Sequence, residues 1–582
     1  MKNFFKTVGA MFVALILFTV VSGFFSLILL IGIASMSSTP VTKITSESVF
    51  KLKLDGTIVE RSENSDLMML RNLINESGSS VAIDDVRESL KKAADNKNIK
   101  ALYLDCAYLS GSPALVEELR SLIVNFKEQS NKPVYAYGDS YSQSSYWLAT
   151  VADTLILNPQ GSIILSGVQM QTMFMKRAMD KLGVEMQIFK VGTFKSAVEP
   201  YFRTDMSDEN RLQMQRIADI IWAEIVDDIA EARNISTEQI DEYVNRGGFL
   251  NYSDVALNAG LVDALKYRSD ADAMVKELLG DDVKMVSLQD MVNLPSTDSY
   301  ASNKIAVLYA TGGIDDGSDS QMKSENIVKE LNKLAKSDKV KAVVLRVNSP
   351  GGAVFGSEQM WYAAKQLREK KPLIVSMSGY AASGGYYMSC IADTILAYNT
   401  TLTGSIGIFG TFPNVQGVTN KLGVDFDGVK THELATFGDM TRPMTPAEKA
   451  ILQNYIEQGY EQFTARCADG RQMPIDDIKA IAEGRVWMGS DAVNIGLVDA
   501  IGGYADAIAI AAERASLDDN YSVAEYPAKK DIYTILMEEF NLEMSTRAVK
   551  SKLGEYAYLY DQYMRLLNAR GAQALMPYYI QM

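Results

Sequence analysis

Residues 340–352 read VKAVVLRVNSPGG, and residues 373–387 read LIVSMSGYAASGGYY. Each begins as a continuous apolar run and ends in a pair of glycines. Runs without the polar alternation of a half-solvated strand suit strands covered on both faces, as in a parallel sheet. Between them, 357–369 has the spacing of an amphipathic helix. Upstream, Ile305–Tyr309 is another short apolar run, followed by a helical pattern over 324–335. Strands alternating with helices predict an α/β domain with a mainly parallel sheet.

The same words recur upstream. IKALYLD at 99–105 answers VKAVVLRV at 340–347, and ADTLIL at 152–157 answers ADTILA at 392–397. KLGV stands at 181–184 and 421–424, and GLVDA at 260–264 and 496–500. Collinear matches at nearly constant offset make the chain two copies of one fold. The expected division is a copy at 46–295, a polar linker before 302, a second copy at 302–530, and a helical C-terminal extension at 531–582.

Residues 1–45 are expected to form a cytoplasmic stub and a transmembrane signal anchor. Lys2 and Lys6 precede a run from Val8 to Ile33 with no charged residue. As a helix it rises about 39 Å, more than the roughly 30 Å hydrocarbon layer. Gly32-Ile33-Ala34 is a small-x-small site, but a cleavable leader has an apolar stretch of only about 7–15 residues. The flanking lysines predict an uncleaved single-pass anchor in the cytoplasmic membrane, with everything after about residue 40 on the extracytoplasmic side.

Composition excludes several classes. The net charge of -15 argues against nucleic acid as a partner, since phosphate binding needs clustered cations. Three cysteines make no disulfide scaffold, and a single histidine, His432, rules out a histidine-rich metal site. Any serine–histidine enzyme would have to use that one residue.

Both double-glycine segments follow strands, where ligands collect in α/β sheets. Ser383 precedes Gly384-Gly385 and an expected helix start. The N–H of Gly384, with one from Gly351 or Gly352, would make an oxyanion hole. The same residues equally suit an N-cap and tight turns, so the motifs alone leave both readings open. Two S-x-x-K words, Ser48 to Lys51 and Ser320 to Lys323, fall on an expected strand and a polar loop. They are set aside, because a strand points such a pair to opposite faces.

At this point a family resemblance enters. SPGG at 349–352, YAASGGYY at 380–387, TLTGSIGIFG at 401–410 and VGTFKSAVEP at 191–200 resemble signal peptide peptidases of the protease IV type. These are Ser/Lys peptidases on the crotonase/Clp-protease-like fold, here in its long tandem form. The resemblance implies Ser383 as nucleophile, Lys195 as general base and Ser405 as the residue holding the lysine amine. It implies no cofactor and no metal, apolar leftover signal peptides as substrates, lipid contact through the anchor, and a homo-oligomer, a tetramer, with sites facing a cavity.

The repeat supports that division independently. Lys195 falls opposite Ala435, and Ser383 opposite Gln143, or Ser144 with a one-residue gap. Each copy therefore retains one partner and lacks the other. A lysine base must be neutral, which requires lowering its pKa from about 10.4 towards 7, some 4–5 kcal/mol of desolvation. Burial between the copies beside Phe194 would supply it. His432 falls opposite Gly192, so it is the rival base, and Ser144 is the rival nucleophile. Two further functions share the fold: an acyl-CoA enzyme of the crotonase type, and an inactive membrane scaffold.

Overall fold

The computed structural model describes residues 43–62, 80–280, 283–295, 301–315, 322–518, 520–529 and 572–575. The expected anchor at 1–45 lies outside them apart from its last three residues. No helix among the described residues is long and apolar enough to cross a membrane.

Each copy builds its own parallel sheet. In the first, strands run in the order Ser80–Ala82, Ser48–Val59, Ile99–Ser110, Val134–Gly138, Thr154–Leu157, Ala264–Leu265, with Lys284–Ser287 also on Ser48–Val59. In the second, the central order is Leu402–Gly404, Leu373–Ala382, Val340–Ser349, Asn303–Thr311, Tyr521–Tyr526. Val486–Met488 joins that edge antiparallel. Every residue of Leu373–Ala382 is buried, which accounts for its unbroken apolar reading. The strand carries its two serines, Ser376 and Ser378, buried within it. Gly351–Ala353 forms a short strand and not the expected turn. Ser48 and Lys51 lie on the strand Ser48–Val59, as expected, and Ser320 is outside the described residues.

The repeated words are structural joints. In each ADT word the aspartate accepts a backbone N–H from a neighbouring strand: Asp153 from Val134 at 2.8 Å and Asp393 from Leu373 at 2.9 Å. In each GLVDA word the aspartate accepts one N–H at 2.7 Å, Asp263 from Leu155 and Asp499 from Ile395. It also pairs with the arginine closing a 26-residue helix, Arg233 of Asp208–Arg233 or Arg471 of Pro446–Arg471. The KLGV words end short helices with glycines at positive φ, 86° for Gly183 and 70° for Gly423, a backbone only glycine adopts cheaply.

Among the contacts that join the copies, three lie away from the candidate site. Glu185–Lys190 of the first pairs antiparallel with Phe409–Asn414 of the second. Arg346, buried in the second sheet, reaches Glu60 at 3.1 Å and also contacts Glu118, both from the first copy. Glu117 accepts from the backbone N–H of Asn399 and from both N–H and hydroxyl of Thr400. The expected C-terminal helix lies outside the described residues except for Ala572–Leu575, which is a strand. It fills the gap between Gly351–Ala353 and Phe409–Asn414 in a four-stranded sheet.

Candidate active site

Ser383 caps the helix Gly384–Ser389, directly after the strand Leu373–Ala382, and its φ is 54°. Left-handed backbone at a non-glycine residue costs about 1–3 kcal/mol and survives only where the surroundings impose it. Here Ser383 N–H donates to Gly404 O at 2.7 Å, and Ser383 O accepts from Tyr387 N–H at 2.8 Å. The sharp turn lifts the hydroxyl off the strand end. Gly384 is the first helical residue, so its N–H has no intrahelical acceptor. Gly385 is needed for space, since a Cβ there would stand 2.7 Å from Ser349 O.

Lys195 arrives from the other copy on the segment after Glu185–Lys190. Phe194 N–H donates to Glu483 O at 3.0 Å. Gln213, on the long helix Asp208–Arg233, donates to Phe194 O at 3.2 Å and Ser196 Oγ at 3.0 Å, and accepts from Val486 N–H. Glu199 of the same FKSAVEP word binds Ser207 and Asn210, fixing the start of that helix. The aliphatic stem of Lys195 lies against Gly484 and Gly407 of the second copy. A Cβ on Gly484 would fall 2.6 Å from Lys195 Cβ, and one on Gly407 3.3 Å from its Cδ. Arg485 covers Phe194, with its guanidinium 5.0 Å from that ring and 4.0 Å from the Trp487 ring.

Lys195, Ser383 and Ser405 are all fully buried. Lys195 Nζ stands 3.0 Å from Ser383 Oγ, 3.0 Å from Ser405 Oγ and 3.0 Å from Ser405 O. Burial alone pushes its pKa down to about 7. A neutral amine has two N–H groups and one lone pair. The Ser405 carbonyl only accepts, so it takes one N–H, and Ser405 Oγ takes the other. The lone pair is left for the Ser383 hydroxyl. Three partners thus match the neutral amine, and among the described residues no carboxylate contacts it to hold the charged form. Ser405 is itself held at φ 52°, its N–H donating to Arg485 O at 2.7 Å.

The glycines sort themselves by backbone direction. Gly351 N–H donates to Ser349 Oγ at 3.2 Å. Ile314 N–H donates to Gly351 O, and Ala353 N–H donates to Ile314 O, both at 2.9 Å. In extended chain the intervening Gly352 therefore turns its N–H the opposite way. Gly352 thus presents its N–H on the edge away from Ile314, while Gly351 shapes the strand.

The rival residues do not join this cluster. His432 is exposed, with its ring beside Thr431 Oγ1 at 3.0 Å. Ser144 lies inside the helix Gln143–Ala149, its hydroxyl buried without a partner. The two helices stay at offset 240, Tyr146 and Tyr386 donating to Leu261 O and Leu497 O and the N–H groups of Thr150 and Cys390 to Tyr146 O and Tyr386 O. Ser383 therefore lies opposite Gln143 as expected, while the N-cap of the first-copy helix is Ser142. Ser142 has ordinary extended backbone and caps its own helix through Ser145 N–H. Gln213, Arg485 and Gly484 are site residues outside the quoted motifs, and Gly407 lies within TLTGSIGIFG. Gly484 and Gly247 of the corresponding turn both have positive φ. No group of metal-ligating side chains occurs among the described residues.

Comparison with known proteins places this geometry. The model of peptidase family S49 matches residues 126–281 and 365–518, once in each copy, and a Clp protease model matches 298–398. This chain belongs to peptidase family S49. It is 37% identical over 506 residues to Protease 4 of Haemophilus influenzae, spanning 83% of this chain and 82% of that protein. Protease 4 of Salmonella typhi is 35% identical, over 85% and 83% of the two chains. The chloroplastic serine protease SPPA of Arabidopsis thaliana is 31% identical, over 83% and 72%. The protein is therefore a serine peptidase of the protease IV type with two tandem Clp-protease-like domains, which sets aside the acyl-CoA enzyme and the inactive scaffold.

Proposed function

We propose that this S49 peptidase works through a Ser383–Lys195 dyad assembled across its two copies. The observation that carries the reading is the 3.0 Å contact between a buried, uncompensated lysine amine and a hydroxyl on a strained turn. Ser383 Oγ attacks a peptide carbonyl while Lys195 Nζ takes its proton. The developing oxyanion is met by the N–H groups of Gly352 and Gly384. The lysine ammonium then protonates the leaving amine, and water hydrolyses the acyl-enzyme. Ser405 orients the amine through both of its oxygens.

The substrates are extended apolar peptides, in particular remnants of cleaved signal peptides. The apolar N-terminal run supports a single-pass anchor in the cytoplasmic membrane, contacting lipid, with both domains on the extracytoplasmic side. The subunits form a homo-oligomer, a tetramer, and the net charge of -15 leaves no role for nucleic acid. Neither cofactor nor metal takes part in the dyad chemistry.

The test is hydrolysis of a fluorogenic peptide by wild type and Ser383→Ala, with labelling by a fluorophosphonate. Equal hydrolysis by both would overturn the dyad. Sedimentation of the detergent-solubilised chain tests the assembly, and an active monomer would contradict it.

A further inference from the structure

Gln213 is buried on the helix Asp208–Arg233 and uses both ends of its amide. Its Nε2 donates to Phe194 O at 3.2 Å and to Ser196 Oγ at 3.0 Å, the residues on either side of Lys195. Its Oε1 accepts from Val486 N–H of the second copy at 3.2 Å. The orientation of the amide is fixed from behind. Nε2 also meets Asn210 Oδ1 at 3.2 Å, and Asn210 Nδ2 donates to Glu199 at 2.9 Å.

Val486 leads to the nucleophile. It faces Gly404 across an antiparallel pair, and Gly404 O accepts from Ser383 N–H at 2.7 Å. The turn at 482–486 forms the rest of the seat for the lysine. Glu483 O accepts from Phe194 N–H at 3.0 Å, and the Glu483 carboxylate accepts from Thr193 N–H at 3.3 Å. Gly484 N–H donates to Ile406 O at 2.8 Å, and Arg485 O accepts from Ser405 N–H at 2.7 Å. Glu483 and Gly484 are both left-handed, at φ 53° and 74°, which a glutamate adopts only where its surroundings impose it. A Cβ on Gly192 would stand 2.3 Å from Glu483 O, so the two backbones touch. This turn therefore grips the lysine segment on one side and Ser405 on the other, and Gln213 bridges it from the first copy. The charged groups around it are Lys190, whose Nζ donates to Lys195 O at 3.4 Å, Glu199, Glu483 and Arg485.

We propose that Gln213 is a positioning residue for the general base. By bonding both neighbours of Lys195 and the strand that faces Gly404, it sets the register in which the amine of one copy meets the serine of the other. The inference rests on the Ser383–Lys195 reading. The position calls for an amide, which combines N–H donors with a carbonyl acceptor; glutamate lacks the donors when ionised, and methionine offers neither strongly. Without the amide, Phe194 O, Ser196 Oγ and Val486 N–H lose this partner, the segment shifts and water reaches Nζ. The amine is then misplaced for proton transfer, and its pKa climbs towards that of free lysine.

The experiment follows kcat and KM for a fluorogenic peptide from about pH 5.5 to 10. It uses the full chain purified in detergent as wild type, Gln213→Met, Ser196→Ala, Gln215→Ala and Ser383→Ala. Gln213→Met is expected to lower kcat at pH 7 by about 10–100-fold with KM within about twofold, and to move the midpoint of kcat/KM upward by about one pH unit or more. Ser196→Ala, which removes one acceptor of the amide, should shift both in the same direction by less. Gln215→Ala, exposed on the same helix and bonded to Asp219, should overlay wild type. A folded Gln213→Met whose midpoint stays at the wild-type value, whether active or impaired, has lost structure alone, and this overturns the proposal. If circular dichroism shows that Gln213→Met does not fold, an unmoved midpoint in Ser196→Ala overturns it instead. If Ser383→Ala hydrolyses the peptide as wild type does, the dyad falls and takes this inference with it. A Ser383-dependent enzyme with an unmoved midpoint loses this inference alone.

Discussion

Lys195 Nζ and Ser383 Oγ meet at 3.0 Å although 188 positions separate them in the chain. Neither copy supplies both groups, so every prediction about activity is also one about how the copies dock.

Replacing the nucleophile comes first. Ser383→Ala should lower kcat/KM by about 10³-fold or more, the scale seen when a nucleophile is removed. Ser142→Ala and Ser144→Ala should retain most activity, since their hydroxyls meet no lysine. Steady-state hydrolysis of one peptide by all three variants decides it, and a dead Ser144→Ala with an active Ser383→Ala would reverse the assignment.

The pH profile follows from the lowered lysine. With Lys195 at about 7, kcat/KM should climb roughly tenfold per pH unit well below 7 and level off above it. Lys195→Ala and Lys195→Arg should both be nearly inactive, because guanidinium stays protonated. His432→Ala should keep the wild-type profile. An unchanged profile in Lys195→Ala, or its loss in His432→Ala, would transfer the role of base to the histidine.

The same group makes a stability prediction of definite sign. The folded pKa of Lys195 is below the unfolded value, so between about 7 and 10.5 the unfolded chain binds the extra proton. Stability contributed by this group therefore rises with pH across that window. Below pH 7 the fold carries the full penalty, roughly 4–5 kcal/mol by the size of the shift. Lys195→Met should raise Tm more at pH 6 than at pH 9. Thermal unfolding at the two pH values tests this, and a larger gain at pH 9 would contradict it.

Positioning residues should behave differently from the dyad. Ser405→Ala removes one of two acceptors for the amine and should cut kcat by about 10–100-fold with little change in KM. Gly484→Ala should act similarly, since its Cβ would press on the Lys195 stem. Both variants should fold, so circular dichroism alongside kinetics distinguishes a displaced lysine from a lost structure.

Docking of the copies can be tested away from the site. Arg346→Met leaves Glu60 and Glu118 buried without their shared cation, an effect of about 3–5 kcal/mol. Urea denaturation should show the loss, and the triple change with Glu60→Gln and Glu118→Gln should recover part of it. A change under about 1 kcal/mol for Arg346→Met would mean that the carboxylates find other partners.

Much of this arrangement was legible before any coordinates. The α/β class followed from unbroken apolar runs, and Ser383 and Lys195 from the resemblance their words carry, each word being kept in one copy and missing from the other. Strand ends were not legible. Leu373–Ala382 continues through Ser376 and Ser378, which hydrophobic patterning counts as polar although both are buried. The alignment of Ser383 with Gln143 holds through the helix body, but only backbone geometry shows that the first-copy helix is capped by Ser142. Gln213 was invisible, since a buried glutamine on a helix looks like any solvated one. Ala572–Leu575 read as part of a helical extension because a four-residue strand owes its conformation to the edges it joins.

The division of the dyad between repeats also orders events during synthesis. Lys195 is made well before Ser383, and Ser405, which orients its amine, later still. The packing residues Gly407 and Gly484 follow, so a nascent chain that has not reached Ser383 holds only one partner of the proposed dyad. Proteolytic competence therefore arrives late, as a report that the second domain has been finished and seated on the first, and a peptidase built this way cannot digest its surroundings while it is still being made.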